Sequence, residues 1–120
     1  MTDRELLELA AKAAGYTTIQ YQNLKDSSLD IRYGIDEAIW NGEDYWNPLE
    51  NDGTALRLAV KLGLFVDIYD AEVLAGWVVD NDSSSMETLN QPKGNDPYAA
   101  TRRAIVRAAA EIGKDRGVNP

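Results

Sequence analysis

The sequence Asp96-Pro-Tyr-Ala-Ala-Thr-Arg-Arg-Ala-Ile-Val-Arg-Ala-Ala-Ala-Glu-Ile-Gly-Lys114 predicts a long amphipathic helix over about residues 97–114. Asp96 can accept hydrogen bonds from the first turn, and proline is favoured at the first helical position. The face that we expect to be buried recurs at helical spacing and comprises Tyr98, Thr101, Ile105, Ala108 and Ile112. A helix with such a face needs other elements to cover it.

Two shorter helices are predicted before it. Thr2 and Glu5 have the spacing of a capping box, in which each side chain bonds the backbone of the other residue. Gly15 is placed to end this helix, because glycine readily adopts the left-handed conformation found there. The second helix is expected over residues 54–63, directly after the turn-forming residues Asn51-Asp52-Gly53.

Short segments rich in β-branched and aromatic residues predict strands. In the clearest of them, Leu29, Ile31 and Tyr33 alternate with charged residues, as in a half-buried strand. The expected strands are residues 16–22, 29–33, 38–40, 64–69 and 73–79. An Asn41-Gly42 turn should follow the third strand. The fourth strand should be largely buried, and the fifth should be its antiparallel partner.

These elements predict one α+β domain over residues 1–120, with three helices packed on a small antiparallel sheet in helix/sheet/helix layers. Residues 81–95 are polar and show no sustained periodicity. We therefore expect a mobile surface loop at about residues 81–95.

The composition excludes several kinds of chemistry. The chain contains no cysteine and no histidine, which removes disulfides, thiol nucleophiles, the usual zinc ligands and a Ser-His-Asp triad. We expect no cofactor and no metal ion. The first residues lack the pattern of a signal peptide, and no apolar run approaches a membrane span, so we expect a cytoplasmic protein without a membrane partner.

The charge is unevenly distributed along the chain. Residues 97–120 carry five basic and two acidic side chains, which is a net charge of +3. The whole chain has a net charge of −8, so residues 1–96 carry −11. No basic residue lies between Arg32 and Arg57, where six acidic residues are interleaved with aromatic ones. This segment predicts a partner-binding surface made of Trp40, Glu43, Asp44, Tyr45 and Trp46. The alternative is that the tryptophans are core residues and the acids form a solvated rim.

The only basic cluster consists of Arg102, Arg103 and Arg107 on the last predicted helix. These arginines either contact phosphate or acidic groups, or they form a solvated face with an Arg107–Glu111 ion pair. The second interpretation is favoured, because isolated surface charge pairs are common and weak. Direct binding to nucleic acid is not expected from a chain with twenty acidic and twelve basic residues.

Three blocks of the chain resemble small bacteriophage and prophage proteins of uncharacterised role. The blocks are 5–15, 46–62 and 96–111, and the middle one is the most specific because it combines a tryptophan, Asn-Pro and Asn-Asp-Gly. The layout is similar to the phage ABA sandwich domain family. That resemblance implies a layered helix/sheet/helix domain and a phage origin, and it supplies no catalytic or binding residues.

The leading functional hypothesis is therefore a phage accessory protein without enzymatic activity that binds a host or phage protein through a basic surface of that partner. An inhibitor of a host defence or nucleic-acid-binding protein would fit this description. Two alternatives remain. One is a small carboxylate-based enzyme or ligand-binding protein. The other is a structural protein that forms homo-oligomers through Trp40, Trp46 or Trp77.

Overall fold

The computed structural model describes residues 1–25, 34–79 and 85–118, with the side chains given up to residue 115. In these ranges the chain has three helices and six strands, which confirms the α+β class. They are α1 (Asp3–Ala13), β1 (Gln20–Asn23), β2 (Glu37–Trp40), β3 (Tyr45–Trp46), α2 (Asp52–Leu62), β4 (Phe65–Ile68), β5 (Glu72–Val78), β6 (Met86–Pro92) and α3 (Pro97–Val118). None of the helices in the described ranges is both long enough and apolar enough to cross a membrane.

The helix ends are formed by the residues that the sequence indicated. Thr2 and Glu5 form the capping box of α1, and the carboxylate of Asp96 accepts two backbone hydrogen bonds at the start of α3. Asn51 caps α2, which begins at Asp52, slightly earlier than predicted. Local side-chain chemistry therefore determines where each helix starts.

The strands form two antiparallel sheets of three strands each, in the orders β1-β2-β3 and β4-β5-β6. The predicted pairing of the fourth and fifth strands is confirmed. Gly42 has a φ of 96° in the turn between β2 and β3, where glycine avoids the strain that a side chain would create. The strand expected at residues 29–33 lies outside the described residues.

The strand predicted at residues 16–22 is shorter in the structure, because β1 covers only Gln20–Asn23. Two further predictions also need correction. Residues 81–95 were expected to form a loop, but Met86–Pro92 form β6 and pair with the whole of β5; residues 81–84 lie outside the described ranges. The fourth strand was expected to be largely buried, but Asp67 and Ile68 are exposed because β4 lies at the edge of its sheet. Neither outcome follows from local composition.

Helix α3 is shared by two hydrophobic clusters. On one side it packs with α1, α2 and the first sheet, and on the other it packs against β5. The helix is consequently buried over a wide, alanine-rich stripe. Tyr98, which was predicted on the buried face, is 71% exposed instead, because it precedes the part of α3 that the other elements cover.

Candidate functional site

The predicted binding residues centre on the hairpin formed by β2 and β3. At its turn, the side-chain oxygen of Asn41 accepts hydrogen bonds from the backbone N–H groups of Glu43 (3.0 Å) and Asp44 (2.9 Å). The backbone N–H of Asn41 donates to the carbonyl of Asp44 at 3.2 Å. These bonds fix the turn and leave the side chains of Glu43 and Asp44 exposed at the tip of the hairpin.

Behind the tip lies an aromatic pair. Trp40 and Tyr45 are directly opposite each other in the sheet, with ring centroids 5.0 Å apart and planes inclined at 57°. Both side chains are half-buried. The sheet therefore brings four of the five predicted residues together: Trp40, Glu43, Asp44 and Tyr45.

Trp46 occupies a different environment. Successive side chains of a strand point to opposite faces, so Trp46 faces away from Tyr45 and shares its face with Ile39. It is only 8% exposed, and its ring meets the ring of Tyr16 edge-on at 5.6 Å. Trp46 is thus mainly a core residue, as the alternative interpretation of the sequence expected for the tryptophans.

A cleft of about 390 Å³ lies between the hairpin and α2. Its lining comprises the hairpin residues Asn41, Glu43, Asp44, Tyr45 and Trp46, the α2 residues Thr54, Arg57, Leu58 and Lys61, and Ala14 and Tyr16 after α1. The volume lies at the lower end of the range of about 300–1,000 Å³ that is typical of small-ligand sites. The cleft can therefore accommodate a small group or a short segment of chain.

The cleft has charges of both signs. Arg57 and Lys61 lie one turn apart on α2, and they line the cleft together with Glu43 and Asp44 of the hairpin. Within the described part of the chain, neither Arg57 nor Lys61 takes part in an ion pair. Arg57 makes a long hydrogen bond of 3.4 Å to the hydroxyl of Thr54, and the Lys61 ammonium lies 5.4 Å from the centre of the Tyr16 ring.

The sequence has Arg57 and Lys61 four residues apart in the second predicted helix but does not indicate that this helix borders the hairpin. Their spacing of four residues was the available signal, and it defines only a common direction on the helix. The packing of α2 beside the first sheet, which brings the two cations towards the acidic tip, depends on long-range contacts.

A second polar network supports the base of the hairpin. The hydroxyl of Tyr21 donates a hydrogen bond of 2.5 Å to the carboxylate of Glu37. This bond, together with burial, raises the pKa of Tyr21, so the phenol remains protonated. The buried amide of Asn47 donates to the carbonyl of Glu37 at 2.6 Å and to the carboxylate of Glu50 at 3.2 Å. Glu37 therefore has a structural role in the sheet.

The arginine cluster connects α3 to three other parts of the fold. Arg102 lies apart from the other two, whereas Arg103 and Arg107 line a common cleft of about 430 Å³ that also contains Glu87 and Glu111. Arg107 donates to β6, and the ion pair expected between Arg107 and Glu111 is not among those formed by the described residues. The bonds are Arg102 to the Leu49 carbonyl (2.7 Å) and Asp52 (2.7 Å), Arg103 to Asp3 (2.9 Å), and Arg107 to the Asn90 carbonyl (2.9 Å) and Gln91 (2.9 Å).

The chain was compared with family models, curated proteins and solved structures, and none of them matches. The resemblance to the phage family therefore stays a prediction. In the ranges that the structure describes, no group of three or more acidic residues is arranged to hold a metal ion.

Proposed function

We propose that this protein is a non-enzymatic, acidic binding protein whose β2–β3 hairpin contacts a basic surface on a partner protein. The observation that carries the proposal is the arrangement at the hairpin tip, where Glu43 and Asp44 are exposed beside the half-buried rings of Trp40 and Tyr45. The resemblance to phage proteins adds the proposal that the protein is a phage accessory factor acting in the host cytoplasm.

The two parts of the hairpin would contribute to binding in different ways. Exposed carboxylates attract a basic partner and raise its rate of association, whereas aromatic side chains supply contact area at the centre of an interface. The net charge of −11 on residues 1–96 strengthens the same attraction. A concrete form of the proposal is an inhibitor that occupies a basic nucleic-acid-binding groove of a host protein.

The two alternative functions receive less support. An enzyme based on carboxylates needs acids that converge in a desolvated site, but Glu43, Asp44, Asp67 and Asp70 are all exposed. Homo-oligomerisation through Trp40, Trp46 or Trp77 needs exposed indole rings, but Trp46 and Trp77 are buried and only Trp40 is half-buried. The cleft beside the hairpin is compatible with a ligand-binding protein, but no observation on the described residues favours an enzyme or a homo-oligomer over the hairpin surface.

The proposal is tested by capture of partner proteins from a bacterial lysate with the wild-type chain and the double variant Glu43→Lys/Asp44→Lys. We expect the variant to lose a protein that the wild type retains. The matched control is Asp67→Lys/Asp70→Lys, which makes the same charge change at exposed positions on and just after β4. Equal capture by the wild type and the hairpin variant would reject the proposed surface.

The carboxylate of Asp44 also accepts a hydrogen bond of 2.8 Å from the backbone N–H of Tyr45, so charge reversal could disturb the turn. A second variant, Glu43→Gln/Asp44→Asn, removes both charges, while the amide that replaces the Asp44 carboxylate keeps an oxygen acceptor. We expect this variant to have the same midpoint of urea unfolding as the wild type and to bind the partner more weakly. The salt dependence of binding should also decrease in this variant.

A further inference from the structure

We infer that the cleft between the β2–β3 hairpin and α2 binds a short peptide segment that carries one basic and one acidic side chain. The inference rests on the proposed function and deepens it, because it specifies which part of the partner enters the protein. The basic side chain lies against Glu43 and Asp44, and the acidic side chain lies against Arg57 and Lys61.

The size and lining of the cleft favour a short segment. A volume of about 390 Å³ has room for a few side chains but not for a folded element such as a helix about 10 Å across. The rings of Tyr16 and Trp46, which meet edge-on, lie at the cleft together with the charged groups. They provide apolar contact for the residue between the two charged ones.

The charges determine which peptides fit. Arg57 and Lys61 make no ion pair with described residues, so an incoming carboxylate need not displace an existing partner. A guanidinium can hold a carboxylate through two parallel hydrogen bonds, which makes Arg57 the stronger of the two anion contacts. A uniformly basic peptide would meet repulsion at the α2 wall, and a uniformly acidic one would meet it at the hairpin.

The two walls also set the direction of the bound segment. They belong to different elements, one to the hairpin turn and one to α2, and therefore place opposite charges on opposite sides of the cleft. A segment in the reverse orientation would bring like charges together at both walls. The cleft thus selects the composition of the peptide and, for a given sequence, the orientation in which it binds.

The test uses three peptides blocked at both ends, Lys-Leu-Glu, Lys-Leu-Lys and Glu-Leu-Glu. Binding is followed by tryptophan fluorescence, because Trp46 lines the cleft, and is confirmed by calorimetry. We expect Lys-Leu-Glu to bind roughly two- to fivefold more tightly than either of the others. Each of the other peptides has one mismatched charge, and an exposed ion pair contributes an effect of about this size.

Two variants assign the preference to the two walls. Arg57→Gln/Lys61→Gln should abolish the advantage of Lys-Leu-Glu over Lys-Leu-Lys, and Glu43→Gln/Asp44→Asn should abolish its advantage over Glu-Leu-Glu. The matched control, Lys93→Gln/Lys114→Gln, removes two positive charges from positions outside the cleft and should leave both preferences unchanged.

The outcomes separate this inference from the proposed function. The inference is overturned if Lys-Leu-Lys binds as tightly as Lys-Leu-Glu, if the preference survives in the Arg57/Lys61 variant, or if free lysine competes as well as the blocked peptide. Absence of peptide binding also overturns it. In each of these cases the proposed function stands if partner capture still requires Glu43 and Asp44. If the peptides bind as expected but capture does not require these residues, the proposed function alone fails.

Discussion

Replacement of Gly113 by alanine should destabilise the protein, although alanine is the better helix former. Gly113 is buried in α3 where this helix crosses α1. A Cβ atom added there would overlap the carbonyl oxygen of Leu9 and would lie 2.8 Å from its carbonyl carbon and 3.3 Å from the backbone nitrogen of Ala13. The obstacle is the backbone of another helix, so no rotation of a side chain can relieve the overlap.

The size of the effect follows from two opposing terms. Alanine gains about 1 kcal/mol over glycine in a helix interior. Overpacking of a core costs about 1–3 kcal/mol, and we expect the upper value here because α1 and α3 must separate along a contact formed mainly by small buried residues. The net loss in free energy of unfolding is then about 2 kcal/mol. For a chain of this length it corresponds to a decrease in Tm of about 8 °C.

Urea unfolding followed by tryptophan fluorescence measures this loss, because Trp46 and Trp77 are buried. Gly53→Ala in the first turn of α2 is the matched control, since its Cβ would approach only side-chain atoms, at 3.2 Å from Arg57 Nη1 and 3.4 Å from Asn51 Oδ1. We expect this variant to be at least as stable as the wild type. A Gly113→Ala variant as stable as the wild type would refute the close approach of α1 and α3.

Three other changes test a helix end, an arginine contact and a tyrosine bond. Gly63→Ala should cost about 1–2 kcal/mol of unfolding free energy in urea, because Gly63 ends α2 with a φ of 67°. Arg102→Met should lower the free energy of unfolding by about 1–3 kcal/mol, because the Leu49 carbonyl loses its hydrogen-bond donor. Asp52→Asn removes only the exposed partner of the Arg102 ion pair and should lower it by less than about 1 kcal/mol. The raised pKa of Tyr21 means that the folded state holds this proton more tightly than the unfolded chain, so the stabilisation is complete below about pH 10 and is lost at higher pH. Tyr21→Phe should lack this decrease when Tm is measured across alkaline pH, and an unchanged slope would contradict the bond to Glu37.

The sequence predicted the helices well because their signals are local. The capping box of Thr2 and Glu5 and the carboxylate of Asp96 act within one helical turn, so their roles can be derived from spacing alone. The buried face of α3 was predicted less well. Its position depends on two surrounding layers, and the many alanines of α3 fit against either of them.

Strand β6 shows why some elements could not be predicted. Met86–Pro92 is mostly polar, and only Leu89 packs against the second cluster. The segment is a strand because it pairs with β5 along its whole length, and this partner supplies the backbone hydrogen bonds that the local sequence does not demand. An exposed edge strand of this kind has the composition of a loop.

The candidate site could be predicted only in part, because its two walls come from separate parts of the sequence. The acidic and aromatic residues of the hairpin are close in sequence, so their proximity in space follows once the turn is recognised. Arg57 and Lys61 come from a separate helix, and only the packing of α2 beside the first sheet brings them to Glu43 and Asp44. The charge of the cleft therefore depends on the tertiary structure.

The sharing of α3 between both hydrophobic clusters has a consequence for synthesis on the ribosome. Helix α3 follows all the other described elements in the chain. The apolar faces of α1 and β5 that α3 covers are therefore uncovered until α3 has been synthesised. Exposed apolar faces and unpaired strand edges favour aggregation in partly folded chains. Residues 1–96 carry a net charge of −11, so we expect repulsion between nascent chains to reduce their aggregation before α3 is synthesised.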